Sequence, residues 1–496
     1  MRYQKSPSIA LACLIAASSF VIAVARQPLS PARHFSARPT PQSEPLALLN
    51  DRTITLDDID PRVREAAIRL ESEVQTARDR VLKEQIDAFL FEAEAKRRRV
   101  TVARLFAIEV TRRVVDPTDE EIQAIYNANR AQFGSSDLTA ARAQIVAYLR
   151  RESVGKLATD LAARLRKRFV VVMGLNVNSP NLTRTATLAT VGGRVISAGP
   201  ILERLKPIVY DLRFRVYEAI ESSVQRLIND LLVIDEATRR GIDPNTIIRQ
   251  EITEKLRPPT EDEVVKFFEE NKAHITGDLT AARASIVSYL AQLEQTKLEN
   301  ALNERLRKGA NIRILLNEPE SPMIAVSTDD DPSRGPVTAP VTVVVFTDFQ
   351  CPSCAANHPI IDEVTKSYGS KVRLVVRDFP LDIHENARKA AEAANAAFAQ
   401  GKFFEYIEVL FKNQKTLDVS SLKKYATDIG LNRARFDREL DSGAFEREVD
   451  HDVIDGVEYG IPGTPTVFVN GMRVNRLSAE TLRAAIDRAL AQKKAS

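Results

Sequence analysis

The stretch "VVVFTDFQCPSC", residues 343–354, decides the fold of the C-terminal part of this 496-residue chain. Its β-branched first half predicts a buried strand, and an alanine-rich helical pattern follows its second cysteine. The chain has three cysteines, and two of them, Cys351 and Cys354, stand between this strand and this helix. The position of the pair therefore predicts chemistry or metal binding at this junction.

A cysteine at the start of a helix is expected to have a lowered pKa. Unpaired backbone N–H groups and the positive end of the helix dipole favour the thiolate of Cys351 over the thiol, whose usual pKa is about 8.5. Pro352 suits the first helical turn, because its missing N–H is not needed there. With only Pro352 and Ser353 between them, the two sulfurs can close and open as a disulfide. We predict that Cys351 and Cys354 are catalytic.

Zinc binding is the alternative for such a pair of cysteines. A structural zinc site takes four ligands, and only His358 lies close by, so the local sequence supplies no complete tetrahedral set. We therefore predict no metal and no other cofactor. Asp348 is either a buried proton acceptor beside the sulfurs or a surface or capping carboxylate, and both roles remain open. His384 is expected to cap or pack at the start of the helix that it precedes.

Three further patterns follow in the C-terminal part of the chain. A second β-rich run spans 371–380, and a helical run spans 384–400. The segment "GTPTVFVNGMRV" at 463–474 predicts two strands joined at Asn470-Gly471, which is a strong hairpin signal. These patterns predict a domain of mixed strands and helices.

The N-terminus predicts export from the cytoplasm. Basic residues are followed by an apolar run that ends in the small-x-small pattern "AVA" at 23–25, and then by a charged, Pro-rich segment. We predict a cleaved signal over 1–25, and an uncleaved membrane anchor is the alternative. Cleavage removes Cys13, so the mature chain keeps only the two cysteines of the motif.

The composition excludes several classes of protein. Charged residues make up 28% and hydrophobic residues 44% of the chain, and the net charge is +3, as in ordinary soluble globular proteins. The basic runs lack interleaved aromatic residues, which argues against a nucleic-acid interface. No phosphate-binding glycine loop or serine-hydrolase elbow occurs in context. At about 150 residues per domain, the length predicts roughly three domains.

An internal repeat organises the chain before the cysteine motif. "DLTAARAQIVAYL" at 137–149 recurs as "DLTAARASIVSYL" at 278–290, identical at eleven of thirteen positions. Each copy has a predicted hairpin, several helices and a short closing strand, and one helix in each opens with a capping box, "TDEE" at 118–121 or "TEDE" at 260–263. The turns and closing strands fall at equivalent positions: Asn50-Asp51 and 168–175 in the first copy, Gly192-Gly193 and 311–316 in the second.

Helical spacing within the repeat predicts an apolar stripe. In the first copy the stripe comprises Leu138, Ala141, Ile145 and Tyr148. Such a stripe packs against neighbouring helices.

The repeated elements resemble the chaperone module of SurA- and PpiC-type periplasmic folding factors. The resemblance rests on the hairpin, on "LLVIDEATRRGI" at 231–242 and on the capping-box helix. It covers about 46–176 and 187–316 and implies a cradle for extended or partly folded polypeptide; a spacer or a dimerisation element is the alternative. In that family a prolyl-isomerase domain usually precedes the last long helix, but only a few residues stand before Asp137 and Asp278. Neither repeat has room for that enzyme.

The C-terminal part resembles the thioredoxin fold, and within it the DsbA-like branch of extracytoplasmic thiol oxidoreductases. The motifs that carry the resemblance are "FTDFQCPSC", "RDFPLDIHENARKAAEAANAAFAQGKFFEY" and "GIPGTPTVFVNG". It implies that Cys351 is the exposed attacking sulfur and Cys354 its buried partner. It also implies that Pro465 is a cis-proline, and that the loop formed with Thr464 pairs with a bound substrate strand. Many oxidases of this branch have a histidine at the position of Ser353, which leaves the oxidising strength open.

These inferences predict an α+β multidomain chain, in which two mainly helical SurA-like repeats precede an α/β thioredoxin fold with a DsbA-type helical insertion. The stretch before that fold has five prolines and three consecutive aspartates, which predicts a linker. The predicted segments are a signal or anchor at 1–25, a linker at 26–45, repeats at 46–176 and 187–316, a linker at 317–340 and the DsbA-like domain at 341–490.

The predicted function is that of an exported thiol–disulfide oxidoreductase, periplasmic or otherwise extracytoplasmic. It would form or reshuffle disulfides in unfolded or reduced secreted polypeptides and be reoxidised by a membrane redox partner. The alternatives are a disulfide isomerase or reductase, and a holdase chaperone whose thioredoxin domain only binds. The predicted site residues are Cys351 and Cys354 as catalytic, Thr464 and Pro465 as substrate-binding, and Pro352, Ser353 and Asp348 as supporting residues.

Overall fold

The computed structural model describes residues 44–130, 137–272, 275, 277–328 and 330–495. The predicted signal, Cys13 and all but the last two residues of the linker predicted at 26–45 lie outside these ranges. None of the helices in the described ranges is both long and apolar enough to span a membrane.

The chain folds into two compact units. Among the described residues, one unit draws on the ranges 44–73, 91–168 and 213–318, and the other on 74–90, 169–212 and 319–495.

Residues 44–318 are mainly helical. Their helices are α1 (Pro61–Arg98), α2 (Val102–Glu109), α3 (Asp119–Ala128), α4 (Leu138–Arg166), α5 (Ala198–Arg240), α6 (Pro244–Ile248), α7 (Glu261–Asn271) and α8 (Leu279–Arg307). Their strands are β1 (Ala47–Leu49), β2 (Arg52–Ile54), β3 (Val171–Met173), β4 (Thr187–Val191), β5 (Arg194–Ser197) and β6 (Ile312–Ile314). Short 3-10 and π turns lie at Thr111–Arg113 and Arg249–Thr253.

The two hairpins form where the sequence predicts them, but their third strands are exchanged. Asn50 has a φ of 51°, and Gly192 and Gly193 have φ values of 55° and 85°, the left-handed conformation that such tight turns require. Strand β1 pairs with β6, and β4 pairs with β3, both antiparallel. The ranges 46–176 and 187–316 are therefore not self-contained, because the closing strand of each completes the hairpin sheet of the other.

Both predicted capping boxes are confirmed. The Thr118 hydroxyl accepts a hydrogen bond from the Glu121 N–H at 3.2 Å, and the Glu121 carboxylate accepts one from the Thr118 N–H at 2.8 Å. Thr260 and Glu263 form the same reciprocal pair. Both pairs satisfy backbone donors that the first turn of a helix leaves free.

The predicted apolar stripe is confirmed in part. Ala141 and Ile145 of α4 are buried against α3, where Ile122 is 1% exposed. Tyr148 does not belong to this cluster, because it is 44% exposed. Leu149, one position later, packs against the cluster instead.

Residues 319–495 contain a five-stranded mixed sheet between helices. Its strands are β7 (Ser333–Arg334), β8 (Val341–Thr347), β9 (Val372–Asp378), β10 (Thr466–Val469) and β11 (Met472–Arg473), in the order β11-β10-β8-β9-β7. Strands β8 and β9 are parallel, and the other pairs are antiparallel. The strand predicted in the first half of 343–354, the strand predicted within 371–380 and the hairpin at Asn470-Gly471 are thus confirmed.

Seven helices are described after β8, and they are α9 (Pro352–Ser367), α10 (Ala387–Phe398), α11 (Phe403–Lys412), α12 (Val419–Asp428), α13 (Arg433–Asp441), α14 (Glu446–Glu458) and α15 (Ala479–Ala495), with a 3-10 turn at Gly369–Lys371. Helices α10 to α14 lie between β9 and β10 in the chain, as a long helical insertion. Helix α10 begins three residues later than the predicted start at 384, which frees His384 for another contact.

The stretch 317–340 is not a linker, contrary to its composition. Its strand β7 pairs with the edge of β9, and the Ile324 N–H donates to the Gly471 carbonyl at 2.9 Å. Asp331 is 5% exposed and lies 3.1 Å from Nε of the buried Arg377. The composition breaks periodicity, yet Asp331 and Pro332 are buried beside the sheet edge.

Gly471→Ala should destabilise the C-terminal sheet by about 2 kcal/mol or more. Gly471 has a φ of +83°, and an added Cβ would lie 2.2 Å from the Ile324 carbonyl oxygen, a backbone atom that cannot rotate away. Gly369→Ala is the matched control, because Gly369 has a φ of +55° with nothing within 4 Å of its Cβ. Hydrogen exchange at the β10 amides of the full chain measures the loss of stability in each variant. Equal losses in the two variants would contradict the packing of Ile324 on the hairpin.

Candidate active site

The two cysteines lie at the start of α9, directly after strand β8. Cys351 is the N-cap residue, with a φ of −74° and a ψ of 121°, and Pro352 occupies the first helical position. Cys354 is in the first turn, and both cysteines are free thiols in this structure. The Ser353 side chain is exposed, and its backbone N–H lies at the helix start. This places the dithiol at the strand-to-helix junction that the sequence predicts.

The two thiols have opposite electrostatic environments. The hydrogen bond from Cys354 is the largest effect that lowers the pKa of Cys351; together with the backbone N–H groups of Cys354 and Ser353 it brings this pKa to about 6, against the opposing effect of burial. Burial raises the pKa of Cys354 well above its usual range, and the neighbouring Cys351 raises it further. At neutral pH the thiolate therefore resides on Cys351 and the proton on Cys354.

The attacking sulfur is less exposed than the resemblance implies. Cys351 is 7% exposed and Cys354 is 2% exposed, so both are buried. Sγ of Cys351 lies 3.5 Å from the Thr464 carbonyl oxygen, so the loop that carries Thr464 lies over the sulfur. The Thr464–Pro465 peptide bond is cis, as the resemblance implies. The structure thus brings together Cys351, Cys354, Thr464 and Pro465.

Asp348 organises the loop that leads to the cysteines. Its side chain is buried, and Oδ1 accepts from the Gln350 N–H at 2.7 Å while Oδ2 accepts from the Leu381 N–H at 2.9 Å. Its backbone N–H is directed at the Cys354 sulfur at 3.5 Å, and its carbonyl accepts from the Cys351 N–H at 3.1 Å. Of the two roles left open by the sequence, these contacts favour the capping carboxylate, in a buried form.

His384 does not cap α10, which is a correction to the sequence-based expectation. Its Nδ1 lies 2.6 Å from Oδ2 of Asp348, and its side chain is 17% exposed. Burial acts to lower the pKa of His384, but the hydrogen bond and charge of Asp348, together with the charge of Cys351, raise it overall. Its position after β9 was the available signal, because the carboxyl ends of parallel strands β8 and β9 meet at one edge of the sheet.

A thioredoxin family model matches residues 327–488. This part of the chain is a thioredoxin-like domain. The match begins before β7, in agreement with the packing of the stretch predicted as a linker.

Curated relatives match a limited part of the chain. It is 37% identical over 210 residues to Na(+)/H(+) antiporter NhaA 3 of Salinispora tropica, which covers 42% of this chain and 31% of the antiporter. It is 34% identical over 181 residues to Na(+)/H(+) antiporter NhaA of Herminiimonas arsenicoxydans, which covers 36% of this chain and 28% of the antiporter. The chain thus spans less than a third of the length of these relatives.

Solved structures are similar to about a third of the chain. Oxidised BdbD from Bacillus subtilis has 24% identity and a TM-score of 0.32, covering 35% of this chain and 99% of that one. A thioredoxin-like oxidoreductase from Silicibacter pomeroyi DSS-3 has 26% identity and a TM-score of 0.31, covering 33% and 94%. The thiol-disulfide exchange protein alpha-DsbA2 from Wolbachia pipientis has 20% identity and a TM-score of 0.31, covering 33% and 89%.

Gln414 is a site residue of the thioredoxin-like domain that the sequence did not reveal. It follows α11, and its Nε2 donates to the Phe349 carbonyl at 3.0 Å and to the Cys351 carbonyl at 2.8 Å. The helical insertion thereby fixes the backbone of the cysteine loop. A lone glutamine in a helical region gives no signal of this role, because the contact spans 63 positions of sequence.

His358, the potential zinc ligand nearest to the two cysteines in the sequence, contacts other residues of the domain. Its Nε2 lies 2.8 Å from the Glu408 carboxylate, and its ring lies 4.6 Å from the Phe411 ring between centroids. In the described ranges, side chains of metal-ligand type converge at Glu448, His451 and Asp452, a group that includes neither cysteine.

Proposed function

We propose that this chain is an exported thiol–disulfide oxidoreductase, with Cys351 and Cys354 as its catalytic residues. The unequal pair of thiols carries the proposal: one sulfur at a helix start has a pKa near 6, and a buried neighbour holds its proton. The thioredoxin family match over 327–488 supports it.

In the donor direction, the oxidised protein transfers its disulfide to a client dithiol. A client thiolate attacks Sγ of Cys351, the Cys351–Cys354 bond breaks, and Cys354 leaves and takes up a proton. The second client thiolate then attacks the client sulfur of the mixed disulfide, and Cys351 leaves as a thiolate. The client loses two electrons and two protons; the protein gains both electrons and, on Cys354, one proton, and the other proton goes to the solvent. Because Cys351 leaves as a thiolate, its low pKa favours the second step.

Docking of the client is assigned to the cis-proline loop. The Thr464 carbonyl faces the Cys351 sulfur at 3.5 Å, so a client strand that pairs with this loop brings its own sulfur alongside. The clients would be unfolded or reduced secreted polypeptides, and a membrane redox partner would restore the disulfide. An extracytoplasmic compartment, as predicted from the N-terminal sequence, would keep such a disulfide oxidised.

The reduction potential of the pair distinguishes the donor from its alternatives. The full chain is equilibrated with glutathione redox buffers, and the fraction of Cys351 open to alkylation is read by mass spectrometry. A potential near or above about −150 mV supports disulfide donation, and one near −270 mV supports a reductase. If the oxidised chain transfers no disulfide to a dithiol peptide at any potential, the proposed function is wrong.

A holdase role is the second candidate, and an exposed apolar sheet face favours it. Val172 of β3, Thr190 of β4 and Val195 of β5 form one row across their sheet. Val172 is 57% exposed and Val195 is 55% exposed, although most apolar residues of a folded sheet are covered. The SurA-like resemblance of the two repeats agrees with client binding at this surface.

The double change Val172→Lys/Val195→Lys in the full chain tests this role. We expect the concentration that half-suppresses aggregation of a reduced, unfolded client to rise about tenfold or more, because two apolar contacts are lost and two charges would be buried. Val115→Lys is the control, since Val115 is 80% exposed but lies outside the sheet. Unchanged suppression by the double variant would remove this sheet face as the client surface.

A further inference from the structure

A buried carboxylate stands close to the sulfur that must carry a negative charge. Asp348 is 1% exposed and lies three positions before Cys351. Its backbone groups contact both cysteines, as described above. A carboxylate fixed in this loop would repel the Cys351 thiolate, because like charges in a poorly solvated place disfavour each other.

The His384 imidazole meets this carboxylate. Its Nδ1 lies 2.6 Å from Oδ2 of Asp348, whereas the other oxygen of Asp348 accepts the Gln350 N–H. The flanking Asp382 and Glu385 side chains are exposed, and Cys354 holds its proton. When it is protonated, His384 places a positive charge against Asp348.

The charge of His384 is coupled to that of Cys351. The Cys351 thiolate is one of the groups that raise the pKa of His384. Its effect is smaller than the raising effect of Asp348 and the opposing, lowering effect of burial. Coupling between two titrating groups is reciprocal, so protonated His384 favours the thiolate as much as the thiolate favours protonated His384. This effect on the Cys351 thiolate adds to the larger stabilisation that the hydrogen bond from Cys354 provides.

We propose that His384 is a positioning residue for thiol–disulfide exchange: as an imidazolium it neutralises Asp348, and the loop then accommodates the Cys351 thiolate without repulsion. The inference rests on the proposed function, because it gives His384 a part in the same exchange reaction. It does not require a contact between His384 and the client.

The test measures the pH profile of Cys351 alkylation in the reduced, full-length protein. The rate of reaction with iodoacetamide is read between pH 4 and pH 9 from the Cys351 peptide, and the midpoint in the unaltered chain is expected near pH 6. His384→Asn keeps an amide donor for Asp348 but removes the charge, so the midpoint should rise by about one pH unit. His451→Asn is the control at an exposed histidine of the same domain and should leave the midpoint in place.

A charge cycle separates compensation from a merely structural role. Asp348→Asn should leave the midpoint unchanged or lower it, because it removes the repelling carboxylate. In Asp348→Asn/His384→Asn both charges are gone, so the midpoint should return to within about 0.3 pH unit of the unaltered protein. If the alkylation midpoint of the double variant is shifted as far as that of His384→Asn, or further, the proposal is wrong.

The alkylation profile is independent of client chemistry. If the chain fails to exchange disulfides but the charge cycle gives the expected midpoints, the proposed function is wrong and the role of His384 in setting the Cys351 thiolate stands. If exchange is efficient and His384→Asn leaves the midpoint at its original pH, the role of His384 is wrong and the proposed function stands.

Discussion

Cys351→Ser should reduce thiol–disulfide exchange to the uncatalysed background, although Cys354 remains in the chain. The remaining sulfur is 2% exposed, and burial raises its pKa well above the usual range, so it offers almost no thiolate at neutral pH. A serine hydroxyl cannot form a disulfide. The measurement is the rate at which the full chain oxidises a dithiol peptide in a glutathione redox buffer.

Cys354→Ser is the matched variant, and its expected result is different. Cys351 should still attack a small disulfide such as oxidised glutathione, but without Cys354 the mixed disulfide has no internal thiol to resolve it. We expect mass spectrometry to find a stable adduct on Cys351 in this variant and none in the unaltered chain. Rapid exchange by Cys351→Ser, or an adduct on Cys354, would reverse the assignment of the two sulfurs.

Arg377→Met should destabilise the thioredoxin-like domain by about 3–5 kcal/mol. The Arg377 side chain is fully buried, and its guanidinium contacts three carboxylates: Asp331 at 3.1 Å, Asp455 at 2.9 Å and Asp452. It also lies 5.2 Å from the centroid of the Phe346 ring. Methionine fills much of the volume but leaves these carboxylates without a cation. The free energy lost by leaving them unpaired is larger than the net stabilisation that the intact ion pairs provide.

Hydrogen exchange at the amides of β8 and β9 measures this loss locally, which suits a chain with two compact units. The expected change is an increase in exchange rate on the order of a hundred- to a thousand-fold. Arg388→Met is the control, because Arg388 pairs with Asp450 at 2.6 Å while both side chains are about half exposed, and such pairs contribute less than about 1 kcal/mol. Equal effects of the two changes would contradict the structural role of the buried cluster.

The chemistry at the cysteines was predictable because local sequence determines it. Three local features place Cys351 at a helix start: the end of a strand, a proline at the first helical position and two cysteines three positions apart. The hairpin at Asn470-Gly471 was predictable for the same reason, since two adjacent residues with positive φ form its turn. The partners of these elements were harder to predict, because they come from segments distant in sequence: the position of His384 after β9 indicated the edge of the sheet but not its contact with Asp348, and Gln414 gave no signal.

The buried cluster and the predicted linker show where local patterns mislead. Arg377 lies in β9, and a charged side chain is seldom fully buried unless it is paired. Its burial depends on carboxylates from Asp331, Asp452 and Asp455, which lie before and after the strand in the chain. Asp331 belongs to a stretch whose prolines and charges are typical of a linker. Composition alone does not reveal that this stretch contacts a buried cation.

The exchange of closing strands has a consequence for synthesis of the chain. Asn50 and Asn311, which are hydrogen-bonded across the first hairpin sheet, are 261 positions apart. At about 5–20 residues per second, the ribosome delivers β6 about 10–50 s after the hairpin that it completes. Strand β3 emerges in that interval, and the internal repeat makes it an alternative partner for β1. We therefore expect pairing of β3 with β1 to compete in the nascent chain until β6 is synthesised, whereas in the folded chain β3 pairs with β4.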